Sequence, residues 1–291
     1  MAVTNNTTLN DLVGQIVSSK AQSAAYSSRV MRPLIRSVEI PAGAGSIVIP
    51  RFQTLAVGSL TQGTAPTAAA ISSDGVTLTP VERGSYVLIS KSTLHADPFS
   101  DLTPYGEQIG RALAMDEDLM IIESMDPATR VNDQSSGAAN IALADLLTAI
   151  GNLENQNAPG PYFAVFHPIS WSKIRAELDD ASAFASVGKN IVEGFGEGFT
   201  NMNGYVGSPY GVPCFISTQI QTFTGAGSPN DSYINLMFSR EAVGYAFIKD
   251  LGVDVDDNIP ARAFDLMGWY AGDADELVDL YSVAMEDDVD G

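Results

Sequence analysis

Two stretches decide how this chain reads: SVEIPAGAGSIVIPRF at residues 37–52 and GVTLTPVERGSYVLIS at residues 75–90. Both are rich in β-branched residues. Val76-Thr77-Leu78-Thr79 and Ser85-Tyr86-Val87-Leu88-Ile89-Ser90 alternate with the period of two that marks strands with unlike faces. The connection between them, TLAVGSLTQGTAPTAAAISSD (54–74), is mostly Ala, Thr, Ser and Gly and carries no charge until Asp74. A structureless connection of that length is uncommon inside a compact domain. The pattern predicts a long β-hairpin over residues 37–97 with no core of its own. At about 3.3 Å per residue, a leg of about fifteen residues reaches roughly 50 Å. A compact chain of 291 residues has a radius of gyration of only about 19 Å. Since an isolated two-stranded ribbon is marginal in water, the arm is expected to lie on another copy of the chain.

Composition narrows the function classes. The chain is 45% hydrophobic, enough for one large or two modest cores. It holds no apolar run long enough to span a membrane as a helix. The opening MAVTNNTTLNDL lacks a basic start followed by an apolar run, so no secretory signal is expected. A single cysteine, Cys214, excludes an intrachain disulfide and fits a reducing compartment. Thirty-five acids against 15 bases give a formal net charge of −20. A protein that grips nucleic acid needs a basic footprint, and none is present. Solubility accounts for the acidity as readily as a functional role does.

Along the chain, residues 1–36 read as a polar N-terminal arm with a weak helical stripe (Leu9, Leu12, Val13, Ile16, Val17). Its arginines, Arg29, Arg32 and Arg36, are expected to dock on an acidic neighbouring subunit. Residues 98–137 hold a long helix from Tyr105 to Met125, with Ile109, Ala112, Leu113, Leu119, Met120 and Ile122 on its apolar face. Asp116 falls within that face and needs a partner such as an arginine. Residues 138–239 read as an α/β lobe: helix ALADLLTAIGNLENQ, buried strand PYFAVFHP, helix WSKIRAELDD, a glycine-rich stretch, and a strand–turn–strand unit, YVGSPYGVPCFISTQI. Residues 240–291 hold strands AVGYAFI and LVDLYSVAM around an acidic middle.

This order of parts resembles the tailed-bacteriophage major capsid proteins of the Hong Kong 97 type, over almost the whole chain. GRALAMDEDLMIIESM, FAVFHPISWSKIRAEL, VGSPYGVPCFIST and SREAVGYAFIKDLGVDV carry the likeness. The resemblance implies an α+β phage capsid fold. Its parts would be an N-terminal arm (1–36), an extended β-hairpin or E-loop (37–97) and a peripheral domain with a spine helix (98–137). An axial domain (138–239) and return strands of the peripheral domain (240–291) would follow. It implies a virion subunit, assembled in the host bacterial cytoplasm as hexamers and pentamers into an icosahedral shell around double-stranded DNA. No enzymatic activity and no cofactor are implied. Some relatives cross-link subunits through an E-loop lysine, but here no lysine occurs between Lys20 and Lys91. The long charged helical extension that serves some relatives as a built-in scaffold is also missing, so a separate scaffolding protein and a portal are expected partners. An encapsulin-type compartment shell is the alternative of the same fold. A soluble hydrolase is the alternative of a different class.

The residues expected at subunit interfaces are Arg29, Arg32, Arg36, Arg51, Glu82 and Arg83. Catalytic chemistry has little support. The two histidines, His95 and His167, lack an accompanying nucleophile-elbow pattern. EGFGEGF (193–199) has glycines but carries two glutamates and no following Lys-Ser or Lys-Thr, unlike a phosphate loop. The acidic run DVDDN offers Asp254, Asp256 and Asp257 as weak calcium candidates without the spacing of an EF-hand. Cys214 reads as an inert buried thiol.

Overall fold

The computed structural model describes residues 6–41, 43–52, 62, 73–96, 102–125, 127, 129–132, 140–180, 202–224 and 231–288. Two sheets organise them. In the first, β1 (Arg36–Glu39) runs parallel to β11 (Val243–Asn258). β11 then pairs antiparallel with β12 (Ala263–Glu276), and β12 with β4 (Val81–Ser90), in the order β1-β11-β12-β4. β11 and β12 form a long hairpin that runs straight through the acidic middle of residues 240–291. The reason lies in the period: Val253 and Leu266 are buried, Val255 is half-buried, and Asp254 and Asp256 between them are exposed. An acidic run with valine at every second position is a half-buried strand.

Helix α3 (Thr103–Glu123) and helix α1 (Asn6–Ser28) cover one face of this sheet. Ile109, Leu113, Val253, Leu266 and Tyr270 share one core there with Val17 and Ala21. Glycines set the spacing. A Cβ at Gly268 would lie 2.2 Å from Ile109 Cγ2, and one at Gly110 would lie 2.3 Å from the carbonyl oxygen of Ala21. The two helices therefore cross backbone to backbone. The N-terminal segment is accordingly a helix of 23 residues seated on its own chain, and the expectation of a polar arm reaching outward does not hold for residues 14–36. On α3, Ile109, Leu113, Met120 and Ile122 are buried as expected, but Ala112 is exposed while Glu117 and Asp118 are buried.

The second sheet has seven strands in the order β5-β13-β10-β6-β8-β7, with β9 (Thr222–Thr224) on β10. These are β5 (Thr129–Val131), β13 (Ser282–Asp288), β10 (Asp231–Ser239), β6 (Tyr162–Phe166), β8 (Cys214–Ile216) and β7 (Tyr205–Gly207). Helices α4 (Leu143–Asn155) and α5 (Pro168–Asp180) pack on one face around Leu146, Leu153, Phe166, Ile174 and Met237. The lobe thus borrows β5 from residues 98–137 and β13 from residues 240–291, so the boundaries expected at 137 and 240 do not separate it. β13 carries Glu286, Asp287 and Asp288, yet all of its residues are buried.

The described part of the ribbon is anchored at its base. β2 (Ile47–Phe52) pairs with β3 (Ser73–Leu78), from Ile47 opposite Leu78 to Phe52 opposite Ser73. That is about 20 Å of mutual pairing. The outer ends of the two legs leave one another: β1 joins β11, and β4 joins β12. Pro41 and Pro80 interrupt the legs at these points, because proline cannot donate to a strand ladder. The base of the ribbon has its own small core of Ile40, Ile49, Leu78, Ala246 and Leu277. The reading of a coreless arm is therefore corrected at the base, while residues 53–61 and 63–72, which include most of its tip, lie outside the described residues.

Candidate assembly interfaces

The interior of the chain holds a charge cluster where α1 ends. Glu117, 1% exposed, faces the Arg29 guanidinium with Nε to Oε2 at 2.5 Å and Arg32 Nη1 to Oε1 at 3.3 Å. Asp250 of β11 accepts from Arg29 Nη2 at 2.7 Å, from Arg32 Nη1 at 2.9 Å and from Tyr26 Oη at 3.1 Å. Asp118 accepts the backbone N–H groups of Val30 and Met31 at 2.9 and 3.0 Å. Burial works against the Asp250 carboxylate, but the hydrogen bond and charge of Arg29, the Leu251 N–H and the charge of Arg32 outweigh it and hold the group well below the usual carboxylate range. In Asp118 burial wins: it pushes the carboxyl up to about 7 against the two backbone N–H bonds that lower it. Two carboxylates, Glu117 and Asp250, thus meet two guanidinium groups, with Asp118 turned to the backbone beside them, and Arg32 lies over the Tyr245 ring at 5.4 Å.

This placement corrects the expectation for Arg29 and Arg32. Arg29 is 5% exposed and both side chains are spent on Glu117 and Asp250, so they lock α1 and the following turn to α3 and β11 within one subunit. A buried arginine without a carboxylate would be costly, and the cluster supplies two.

The other four stand on or near the surface. Arg36 meets Glu241 at 3.3 Å, both about half exposed. Arg51 donates from Nη1 to the Leu277 carbonyl and from Nη2 to Asp74 Oδ2, each at 2.9 Å. It thereby ties the base of the ribbon to the end of β12. Arg83 reaches Asp116 at 3.3 Å. Asp116 also accepts Tyr270 Oη at 2.6 Å, so the residue expected to need an arginine has one and a phenol besides. Glu82 is exposed on β4.

The calcium candidates do not converge. Asp254 accepts Trp269 Nε1 at 3.1 Å. Asp256 accepts the N–H of Asp257 at 2.8 Å. Asp257 pairs with Lys91 Nζ at 2.6 Å. Residues 254 and 256 point to one side of β11 and residue 257 to the other. Among the described residues no group of three potential metal ligands forms. The ring of His167 stacks on Tyr233 with centroids 3.9 Å apart, and burial lowers its pKa against the charge of Asp287. His95 lies in the short helix α2 (Lys91–Ala96); its side chain and the segment 193–199 lie outside the described residues. Cys214 is fully buried, and that burial pushes its thiol far up.

Sequence reasoning missed Glu117, Asp118, Asp250 and Asp287. Asp287, 0% exposed, accepts the Ile141 N–H at 2.9 Å, Ser170 Oγ at 2.7 Å and Lys173 Nζ at 3.1 Å. One signal was available: Glu117 and Asp118 sit one helical turn beyond Leu113 and Ala114 on the buried side.

A scan against protein-family models finds no match, and neither does a sequence search of curated proteins. Comparison of folds gives a consistent answer. The capsid of Ralstonia phage GP4 superposes with a TM-score of 0.67 at 11% identity, covering 88% of this chain and 87% of that one. The head structure of Helicobacter pylori bacteriophage KHP40 gives 0.66 at 12% identity, covering 99% and 98%. A virus-like particle from Pyrococcus furiosus gives 0.59 at 11% identity, covering 93% and 98%. The chain has the α+β phage capsid fold of the Hong Kong 97 type.

Proposed function

We propose that this chain is the major capsid protein of a tailed bacteriophage, the repeating subunit of an icosahedral shell that encloses double-stranded DNA. The observation that carries the reading is the coverage of the fold: 99% of this chain matches 98% of a chain from a phage head structure. The chemistry agrees. Among the described residues the buried carboxylates Glu117 and Asp287 and the half-buried Asp250 each meet an internal cation, while the anchored ribbon and the open sheet face suit contacts between chains. A net charge of −20 lets a wall stand beside DNA without gripping it.

In this reading the subunits form hexamers and pentamers in the host bacterial cytoplasm, with a separate scaffolding protein and a portal. Arg51, Glu82 and Arg83 near the stem of the ribbon, and Arg36 on the edge strand β1, are the residues that face neighbouring subunits. Closed symmetry multiplies each such contact. The purified protein, alone or with the products of adjacent reading frames, should give capsomers or closed shells by sedimentation and negative-stain imaging. A monodisperse monomer under every condition would reject the reading. Nuclease-protected double-stranded DNA inside the particles separates a phage shell from a compartment shell of the same fold, which would enclose protein instead.

A further inference from the structure

The four-stranded sheet has one face turned away from α1 and α3, and no described residue covers its exposed row of Tyr86, Leu88 and Met267. Register places three rows across it: Leu88, Asp265 and Asp256; Tyr86, Met267 and Asp254; Gly84, Trp269 and Gly252. Tyr86 is 57% exposed, Leu88 51% and Met267 46%. Apolar side chains of this size, contiguous and rimmed by polar groups, mark an interaction surface. The rim is acidic. Asp254 is oriented by Trp269 Nε1 at 3.1 Å and Asp265 by Tyr86 Oη at 2.9 Å. These bonds hold the carboxylates beside the apolar row but leave their charge uncompensated. Lys249 contributes the one ammonium on this face among the described residues, and it lies over the Trp269 ring at 3.4 Å.

We propose that this face is the docking surface for a separate polypeptide presenting a cationic amphipathic segment. Its aliphatic or aromatic side chains cover Tyr86, Leu88 and Met267, and its lysines or arginines meet Asp254, Asp256 and Asp265. Charge complementarity selects this occupant. A second copy of the chain brings its own −20 and few cations, and like charges brought together on one face cost free energy. A basic partner gains from the same carboxylates, and burial of the apolar row supplies the area-dependent part of the affinity.

The free subunit can be tested with a synthetic peptide of about 18 residues, leucine and lysine placed with a helical period, and with the same composition scrambled. Isothermal titration should show the periodic peptide binding at least about tenfold more tightly than the scrambled one, a difference of about 1.4 kcal/mol. Tyr86→Ser with Leu88→Ser, and separately Asp254→Asn with Asp256→Asn, should each weaken it by about tenfold, whereas Asp275→Asn should not. Should the serine pair fail to fold, Met267→Lys places a repelling charge in the middle of the face and should weaken binding similarly. Equal binding of the two peptides, or variants without effect, would show that overall charge holds the peptide and would overturn the proposal. So would binding to free subunits that disappears in assembled particles, since a second copy would then cover the face. Because the titration itself uses free subunits, its failure is distinguishable from a failure to form shells.

Discussion

The carboxylate of Asp118 accepts the backbone N–H of Met31 at 3.0 Å, joining residues 87 apart in sequence. Asp118 is 2% exposed, and it takes the place of the helix carbonyls that α1 no longer supplies after Ser28. The bond is one of the points at which the N-terminal segment is fastened to α3, and the acidity of Asp118 makes this one sensitive to pH.

An unfolded aspartate titrates near 3.9, whereas burial raises folded Asp118 to about 7. Between those values the folded chain holds a proton that the unfolded chain has shed, so Asp118 lowers stability progressively as pH rises from about 4 to about 7 and no further above that. Asp250 acts in the opposite sense. Its depressed folded value gives stability that is present above the unfolded value and is lost as pH falls through the folded one. Asp118→Asn removes the first effect. The melting temperature of the wild-type chain, minus that of the variant, should therefore fall between pH 5 and pH 8 by several degrees, at about 2–4 °C per kcal/mol for a chain of this size. Subtraction cancels other groups, such as His167. A flat difference curve would place the Asp118 proton elsewhere.

The order of elements was legible in the sequence because their periods are plain: α3, α4, β6, β10 and the β7–β8 unit all fall where the alternation or helical spacing puts them. What escaped was pairing. Residues 37–52 and 75–90 have strand periodicity throughout, but nothing local says that only Ile47–Phe52 and Ser73–Leu78 face each other while β1 and β4 join strands some 200 residues away. The charge cluster escaped for a related reason. Arg29 and Arg32 look like an exposed basic patch until Glu117 and Asp250, distant in sequence, are brought against them. Nor can composition distinguish Asp287, buried and bonded to Ser170 and Lys173, from Asp256 on an open strand.

Helix α1 crosses α3 at Gly106 and Gly110, and the fit leaves no room for a methyl group. A Cβ at Gly106 would lie 2.5 Å from Val17 Cγ1. Gly106→Ala should reduce stability by about 1–3 kcal/mol, measured by urea unfolding. Adding Val17→Ala removes the colliding atom and should recover part of that loss, whereas a purely additive pair would mean that the two sites do not meet.

Because Ile49 and Leu78 already have a core against Ala246 and Leu277, the ribbon and the body of the subunit are separable. Replacing residues 53–72 by a two-residue Asn-Gly turn should leave the circular dichroism spectrum and a cooperative melt nearly unchanged while abolishing particles. Leu78→Ala should do the reverse, costing about 2–5 kcal/mol in the isolated subunit. If the shortened chain fails to fold, residues 53–72 belong to a core after all.

Charge between subunits gives the last prediction. The net charge is −20, but not all of the acid is available to repel a neighbour. Glu286, Asp287 and Asp288 are buried, with Arg130 on Glu286 and Lys173 on Asp287, so their fields are largely spent inside the lobe. Glu82, Asp254, Asp256, Asp275 and Asp279 remain exposed. Exposed pairs of opposite sign, such as Arg36 with Glu241, contribute at most about 1 kcal/mol each, and bases are too few to cancel the rest. When subunits pack side by side, exposed carboxylates come within a Debye length of about 8 Å at physiological salt. Particles should therefore loosen at very low ionic strength and tighten as sodium chloride is added, until screening is complete. The disassembly temperature across a salt series measures this. A temperature that falls steadily from the lowest salt upward would mean that attractive pairs across the contacts outweigh the repulsion, and that the exposed arginines Arg36, Arg51 and Arg83 find acidic partners on the neighbouring subunit.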